Sequence, residues 1–450
     1  MRDMLIVRSS KKFMLEKAYV WKVLLEDFLG LSYQCDFDDS LTDYHIQLEN
    51  GAELIVSDAF FSRRAEEAYV TEEFIPQTVA WFDHALTNHS PIPVIYGSPE
   101  CTVGEKEADC KIDFVASSFF MLARWEEYVV EQRDEHGRFP LNASLAYRAG
   151  FHQQPVVNQY LELLWRLLYH LDPSLTRKKR SFRLVPTHDV ERIRRWRGLG
   201  PTFSVPFYSL TIEKKPRRAL RHLQNILEVK AGLKDDPYDT FDYLMRASEK
   251  FGLQSRFFFL SGGETKHDNY YRIDQRRVQD LLETINNRGH RIGLCSSYNS
   301  YTRPLLWEQE RDTLRALAPQ QINKGRQHYL RFEVPTTWQI WNDAGMSVDS
   351  SLGYAEQPGF RCGTCYAFPV FNFITREALS VYESPLICSE TSLIDYMQLS
   401  PSAAEQEVHR VYAQVQQYQG NFVLQWHNSS LFTEEHTPYR QLYEKILRGW

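Results

Sequence analysis

Two carboxylates stand one residue apart in the run Pro186-Thr187-His188-Asp189-Val190-Glu191. The residues before them, Phe182-Arg183-Leu184-Val185, read as a strand. Acid groups that end a strand lie at the edge of a sheet, where the active sites of α/β folds form. Such a pair can do two jobs. One carboxylate binds a divalent metal while the other, kept free, takes a proton from metal-bound water. Alternatively, both cap the following turn, an ordinary role for Asp at a strand end. Taken alone, the hexapeptide favours capping, because short motifs often match by chance.

Other residues carry chemistry of their own. Tyr298, Tyr354 and Trp426 are candidates for a platform against the apolar faces of sugar rings. Core packing is the competing role, and for Trp426 the preferred one. Glu383, in Val381-Tyr382-Glu383-Ser384-Pro385, is either a pocket carboxylate or a plain strand-end acid. Cys362-Gly363-Thr364-Cys365 is a C-x-x-C without a second pair, and reads as a structural turn. By strand alternation His188 faces away from Asp189, and His290 faces away from Cys295.

The elements that must position these groups fall into two regions. Before about residue 120, short apolar runs alternate with turns. Leu54-Ile55-Val56 and Ile92-Pro93-Val94-Ile95-Tyr96-Gly97 read as strands. Ile112-Asp113-Phe114-Val115 opens a segment that continues as a helix through Phe119–Glu127, and Asp134–Phe139 is a polar turn. Val157, Tyr160, Leu161, Leu164 and Leu168 recur at helical spacing between Val156 and Leu171. From residue 181 strands alternate with helices. Ser255–Leu260, His290–Leu294, Gly345–Val348 and Asn421–Gln425 read as strands. Gln275–Arg288 reads as a helix stopped by Gly289. Repeated βα units predict a parallel sheet or a (β/α) barrel. The boundary is expected in the polar and basic stretch from Asp172 to Arg180, giving an N-terminal α/β domain over 1–175 and a larger domain over 181–450. Limited proteolysis is expected to nick that stretch, or the charged stretch from Lys230 to Asp239.

Composition narrows the function. At 450 residues the chain exceeds one ordinary core. A net charge of -6 argues against general nucleic-acid binding. No apolar run is long enough for a membrane span. The start Met1–Arg8 lacks the apolar core of a secretory signal, and seven cysteines are irregularly spaced. A cytoplasmic location is therefore expected. The tyrosines, phenylalanines and tryptophans, 14% of the chain, suit a carbohydrate site.

Four strand-end runs then appear in a fixed order: Thr187-His188-Asp189-Val190-Glu191, Gly289–Ser300, Arg326–Phe332, and Leu424-Gln425-Trp426-His427. This order resembles that of the polysaccharide deacetylases, the NodB-homology carbohydrate esterases. Pro93–Gly97, Phe120–Glu127, Leu352–Glu356 and Trp426–Ser429 resemble a bacterial branch with an extra N-terminal domain. The resemblance implies a C-terminal distorted (β/α) barrel with a smaller N-terminal α/β domain. It implies a metal-dependent hydrolase, acting on a carbon–nitrogen bond other than a peptide bond or on an ester, that removes an N- or O-acetyl group from a polysaccharide or glycan precursor. Within it, Asp189 takes a proton from water, His427 protonates the leaving group and Glu191 holds the metal. Arg331 or Arg326 orients Asp189 and keeps it ionised.

Two departures stand out. The family's paired acids are adjacent, whereas Val190 separates them here. Cys295 and Asn299 stand where the usual pattern has two metal-binding histidines. A thiolate ligand favours Zn over Mg or Mn, so the implied cofactor is a divalent metal, zinc foremost. The alternative for Cys295 is a small buried residue that binds nothing. Two rival functions follow. One is a pseudoenzyme that binds carbohydrate or a biosynthetic partner without turnover. The other is a glycoside hydrolase, for which Asp189 and Glu383 form the one nominated pair.

Overall fold

The computed structural model describes residues 4–64, 69–87, 90–196, 199–212, 214–268 and 270–450; the first three residues of the Met1–Arg8 start lie outside these. Two large sheets organise the chain. The six-stranded sheet runs Ser32–Phe37, Met4–Ser9, Tyr44–Gln47, Glu53–Val56, Glu107–Ile112, Gly97–Val103. The nine-stranded sheet runs Phe368–Asn372, Glu377–Glu383, Val348–Asp349, Lys324–Gln327, Arg291–Ser296, Arg256–Leu260, Arg183–Val190, Asn421–Gln425, Cys388–Ser389. The change of sheet falls between Ile112 and Arg183.

Local sequence accounts for the elements nearest the site. Phe257, Phe258, Phe259 and Leu260 are all buried, as in a parallel strand covered on both faces. The next strand fits against them through Gly293. A Cβ there would stand 2.6 Å from the Phe258 ring and 2.5 Å from the Lys324 carbonyl oxygen. Helix Val156–Leu171 buries its apolar stripe and stops before Asp172-Pro173. Helix Arg276–Asn287 ends at Gly289, whose φ of 77° is adopted most readily by a residue without Cβ. The segment expected as a helix through Phe119–Glu127 is instead helix Phe114–Ala123, N-capped by Asp113, followed by the one-turn helix Glu126–Val129.

The expected barrel does not close. Every pairing in the nine-stranded sheet is parallel except that of Phe368–Asn372 with Glu377–Glu383. The antiparallel strand and Cys388–Ser389 are the two ends of the sheet, and no described strand joins them. The N-terminal half covers the antiparallel end. The Tyr19 hydroxyl donates to the Pro369 carbonyl at 2.8 Å. The rings of Tyr19 and Phe119 pack on Phe371 at 4.9 and 5.4 Å between centroids. A covered edge cannot pair with another chain. The two sheets thus share one continuous core.

Because the strands run parallel, their carboxyl ends share one rim. Asp189, Gln327, Glu383 and Gln425 lie at or near those ends, and Glu191 and His427 follow directly.

Candidate active site

Successive residues of a strand face opposite sides. Thr187 and Asp189 point to the side on which Arg326 lies; its Nη1 donates to Thr187 Oγ1 at 3.0 Å and to Asp189 Oδ1 at 2.8 Å. Gln425 Nε2 donates to the second oxygen, Oδ2, at 2.6 Å. Asp189 is almost fully buried, so these donors replace the water it loses. Arg326 is itself fixed by the Ser350 carbonyl at 2.7 Å. His188 faces the other way and pairs with the Trp426 carbonyl at 2.7 Å. Burial lowers its pKa to about 4, so it stays neutral.

Beyond the strand end, acids and imidazoles alternate. His328 Nδ1 donates to Asp268 Oδ1 at 3.2 Å, and its Nε2 donates to Glu191 Oε1 at 3.0 Å. The same Glu191 oxygen lies 3.5 Å from Nε2 of His427. His427 Nδ1 donates to Glu390 Oε1 at 2.6 Å, and the His427 backbone N–H donates to that oxygen too. Burial works against both imidazolium charges, but the carboxylates outweigh it. The pKa of His328 is pushed up to about 9 by Asp268 and Glu191. That of His427 is held well above its ordinary value by Glu390 and Glu191. Burial would raise Glu191, yet His328 and then His427 hold it well below the usual carboxylate range. Glu390 is lowered against burial by His427.

Asp189, Glu191, Gln425 and His427 line one cavity of about 320 Å³, with Tyr329 and Tyr396 as its aromatic rings. Arg138, from the polar turn of the N-terminal half, also reaches it. Its guanidinium is held by Asp134 at 2.7 Å and donates to the Tyr396 hydroxyl at 2.7 Å.

The other residues nominated from sequence lie elsewhere. Arg326 takes the place beside Asp189, and Arg331 does not. Arg331 donates to Asn299 Oδ1 at 2.9 Å and to the His136 carbonyl at 2.7 Å, tying in the N-terminal turn. Tyr298 packs among His136, His267 and Arg331. Tyr354 and Trp426 are buried, and none of these three rings lines the cavity. Glu383 is sealed with Asp349, accepting from Trp338 Nε1 and the Leu352 N–H, both at 3.1 Å. Burial and the Asp349 charge hold its carboxyl far above the usual range. It therefore does not oppose Asp189 across a bond, and the glycoside-hydrolase pairing fails. Cys362 and Cys365 are buried, free thiols in a turn.

The residues nominated for a metal do not fit one. Cys295 is sealed against Phe258, Leu260 and Tyr271. Burial, then the charges of Asp189 and Glu191, pushes its thiol well above the ordinary value. The Asn299 oxygen already accepts from a guanidinium. Among the described residues no three His, Cys, Asp or Glu side chains are grouped to hold a metal ion.

Sequence reasoning missed Asp268, Glu390 and the role of His328. His328 follows its strand directly, inside one of the four motif runs, and that position was the available signal. Asp268 lies in a turn and Glu390 at the start of a short helical segment, with no motif around either.

A family model described as a family of unknown function (DUF7033) matches residues 5–173. No curated protein matches the chain. Among solved structures, one from Mycobacterium smegmatis assigned as a polysaccharide deacetylase is similar at 14% identity and a TM-score of 0.36, over 60% of this chain and 85% of that one. A CE4 family pseudoenzyme from Bacillus anthracis is similar at 10% identity and a TM-score of 0.31, over 60% of this chain and 61% of that one. A mutant of that pseudoenzyme with restored enzymatic activity is similar at 10% identity and a TM-score of 0.31, with 63% of its chain covered.

Proposed function

We propose that the cleft binds a glycan and hydrolyses an acyl group from it by acid–base chemistry. One observation carries the reading. Asp189 and His427 line the same cavity with opposite charges, and each is fixed by its own buried partner, Arg326 and Glu390. That is the geometry of a base with its orienter and an acid with its orienter.

In the reaction, Asp189 takes a proton from water as the water oxygen bonds to the acyl carbon. The carbonyl electron pair moves onto its oxygen and then returns as the bond to the sugar oxygen or nitrogen breaks. His427 Nε2 gives its proton to that departing atom. Its Nδ1 contact with Glu390 is short, whereas Nε2 lies 3.5 Å from both Glu191 and Gln425, which leaves that proton the more accessible one. An O-acyl ester asks least of such a pair, because an alkoxide leaves more readily than an amide nitrogen. No step is assigned to a metal, because the donor set does not fit one.

A second reading, glycan binding without turnover, is favoured by the two donors that already occupy both Asp189 oxygens. The test is acetate release from O-acetylated xylan and N-acetylated chitin oligomers, with and without EDTA, alongside calorimetric binding. Release that survives EDTA and vanishes in Asp189→Asn and His427→Gln supports hydrolysis. Binding without release supports the second reading. Release that EDTA abolishes and zinc restores overturns the metal-free assignment.

A further inference from the structure

Between strands Arg183–Val190 and Arg256–Leu260 the chain inserts a helical hairpin, Leu199–Thr211 and Pro216–Lys230. Its exposed surface is unusually apolar. Near the end of the first helix, Phe207, Tyr208, Leu210 and Ile212 are 66%, 54%, 54% and 65% exposed. On the second helix, Leu220 and Leu227 are 68% and 67% exposed and lie two turns apart on one face. Leu233, just beyond, is also exposed. Soluble surfaces seldom gather apolar side chains this densely. Cations are concentrated here as well. Residues 214–234 hold seven Lys or Arg against one Glu, in a chain of net charge -6; Arg218, Arg221 and Lys234 pair with Glu435, Glu434 and Glu228, which leaves Lys214, Lys215 and Arg217 as the cations open to a partner. Lys214, Lys215 and Arg217 are exposed and stand between the two apolar groups.

We infer that this hairpin docks on the surface of an anionic lipid bilayer. A nucleic acid would match the cations but leave Phe207, Leu210 and Leu220 in water. An apolar protein face would match the leucines but leave Lys214, Lys215 and Arg217 unanswered. An acidic headgroup layer above acyl chains matches both at once, as it does for basic amphipathic helices. The contact is peripheral, since among the described residues no helix is long and apolar enough to cross a membrane.

The second helix faces the cleft segment by the side opposite Leu220 and Leu227, so the apolar face stays open. Ser429, Ser430 and His436 line the cleft, while Phe432, Thr433 and Glu434 of the same segment line a cavity of about 540 Å³ against the second helix. The docking inference holds whether or not the cleft turns over.

The test is flotation of the full chain with phosphatidylcholine vesicles, with and without phosphatidylglycerol, at low and high salt. Two variants accompany it: Phe207→Ser with Leu210→Ser, and Lys214→Glu with Lys215→Glu and Arg217→Glu. These positions are exposed, and circular dichroism checks that folding is kept. Flotation with the anionic vesicles alone is expected. The charge variant should bind at least about a hundredfold more weakly, at about fivefold per lost cation. The apolar variant should bind at least about tenfold more weakly, and salt should abolish what remains. Absence of flotation at low salt overturns the inference, as does equal binding to neutral vesicles. So does binding of short duplex DNA in place of vesicles, or a concentration-dependent dimer that the apolar variant dissolves.

Discussion

The Nε2 of His328 stands 3.0 Å from Oε1 of Glu191, and the imidazole is fully buried. Glu191 is the residue whose sequence context implies a metal ligand. In the structure a fixed organic cation faces it, and Asp268 holds that cation from behind. Three carboxylates and two imidazoles alternate from Asp268 to Glu390, so each charge has an opposite neighbour. An arrangement of this kind satisfies Glu191 from within the chain.

Stability should therefore depend on pH in a defined direction. The His328 value, about 9, is raised above its ordinary 6.5. Its contribution is fully present below about pH 6.5 and is lost as pH rises through 9. Glu191, Glu390 and Asp268 are lowered, so theirs is present above the ordinary carboxylate range and lost as pH falls. Urea unfolding should show a maximum between about pH 4.5 and 6.5 and a decline towards 9. His328→Gln should cost about 3–5 kcal/mol at pH 6, because it leaves buried carboxylates unpaired. It should also flatten the alkaline decline. If the variant keeps the wild-type decline, the dependence belongs to other groups.

Glu390→Gln isolates the other end of the chain of charges. It removes the main support of the His427 imidazolium while leaving a group able to accept the Nδ1 proton. Acyl release should fall by about a hundredfold, the lower range for general-acid catalysis. The alkaline limb of the pH–rate profile should move to lower pH, since His427 then loses its proton more easily. A lower rate with an unmoved limb would make Glu390 a packing residue only.

Why some of this was legible follows from where the signals lie. Asp189 and His427 come just after runs of apolar strand residues, and a parallel sheet collects such ends on one rim. Their partners carry no such signal. Glu390 follows a two-residue strand, and Asp268 sits in a loop after Gly262-Gly263. His328 is aimed by backbone that no pattern announces, with Tyr329 and Leu330 in left-handed conformation at φ of 60° and 55°. Barrel closure depends on pairing between end strands far apart in sequence, so periodicity within each strand does not decide it. Residues 199–230 carry Pro201, Pro206 and Pro216, residues that often break a helix. The structure keeps Pro206 inside a helix and places Pro216 at a helix start.

Cys295 offers a direct check on the metal. Its thiol is buried among apolar side chains, so Cys295→Ser should cost about 1–3 kcal/mol for a buried hydroxyl without a partner. Metal content by mass spectrometry should not change between wild type and variant. Stoichiometric zinc in the wild type that disappears in Cys295→Ser would restore the thiolate-ligand assignment.

The stretch from Asp172 to Arg180 looks like an exposed linker in sequence, but it is docked. The Lys178 N–H donates to the Leu29 carbonyl at 2.7 Å. The Arg180 guanidinium donates to the Asp27 carbonyl at 2.9 Å and lies 3.9 Å from the Tyr366 ring centroid. Arg177 is paired with Glu162 at 2.6 Å. A protease needs a locally unfolded segment, and opening this one breaks contacts from both halves at once. The hairpin presents exposed Lys214, Lys215, Arg217 and Lys234 with fewer such ties. Trypsin should therefore cut first within residues 214–234 and leave 177–180 intact, as mass spectrometry of early fragments would show. A first cut after Arg177, Lys178 or Arg180, with the two halves separating on a sizing column, would mean that the shared core around Tyr19, Phe119 and Phe371 does not hold them together.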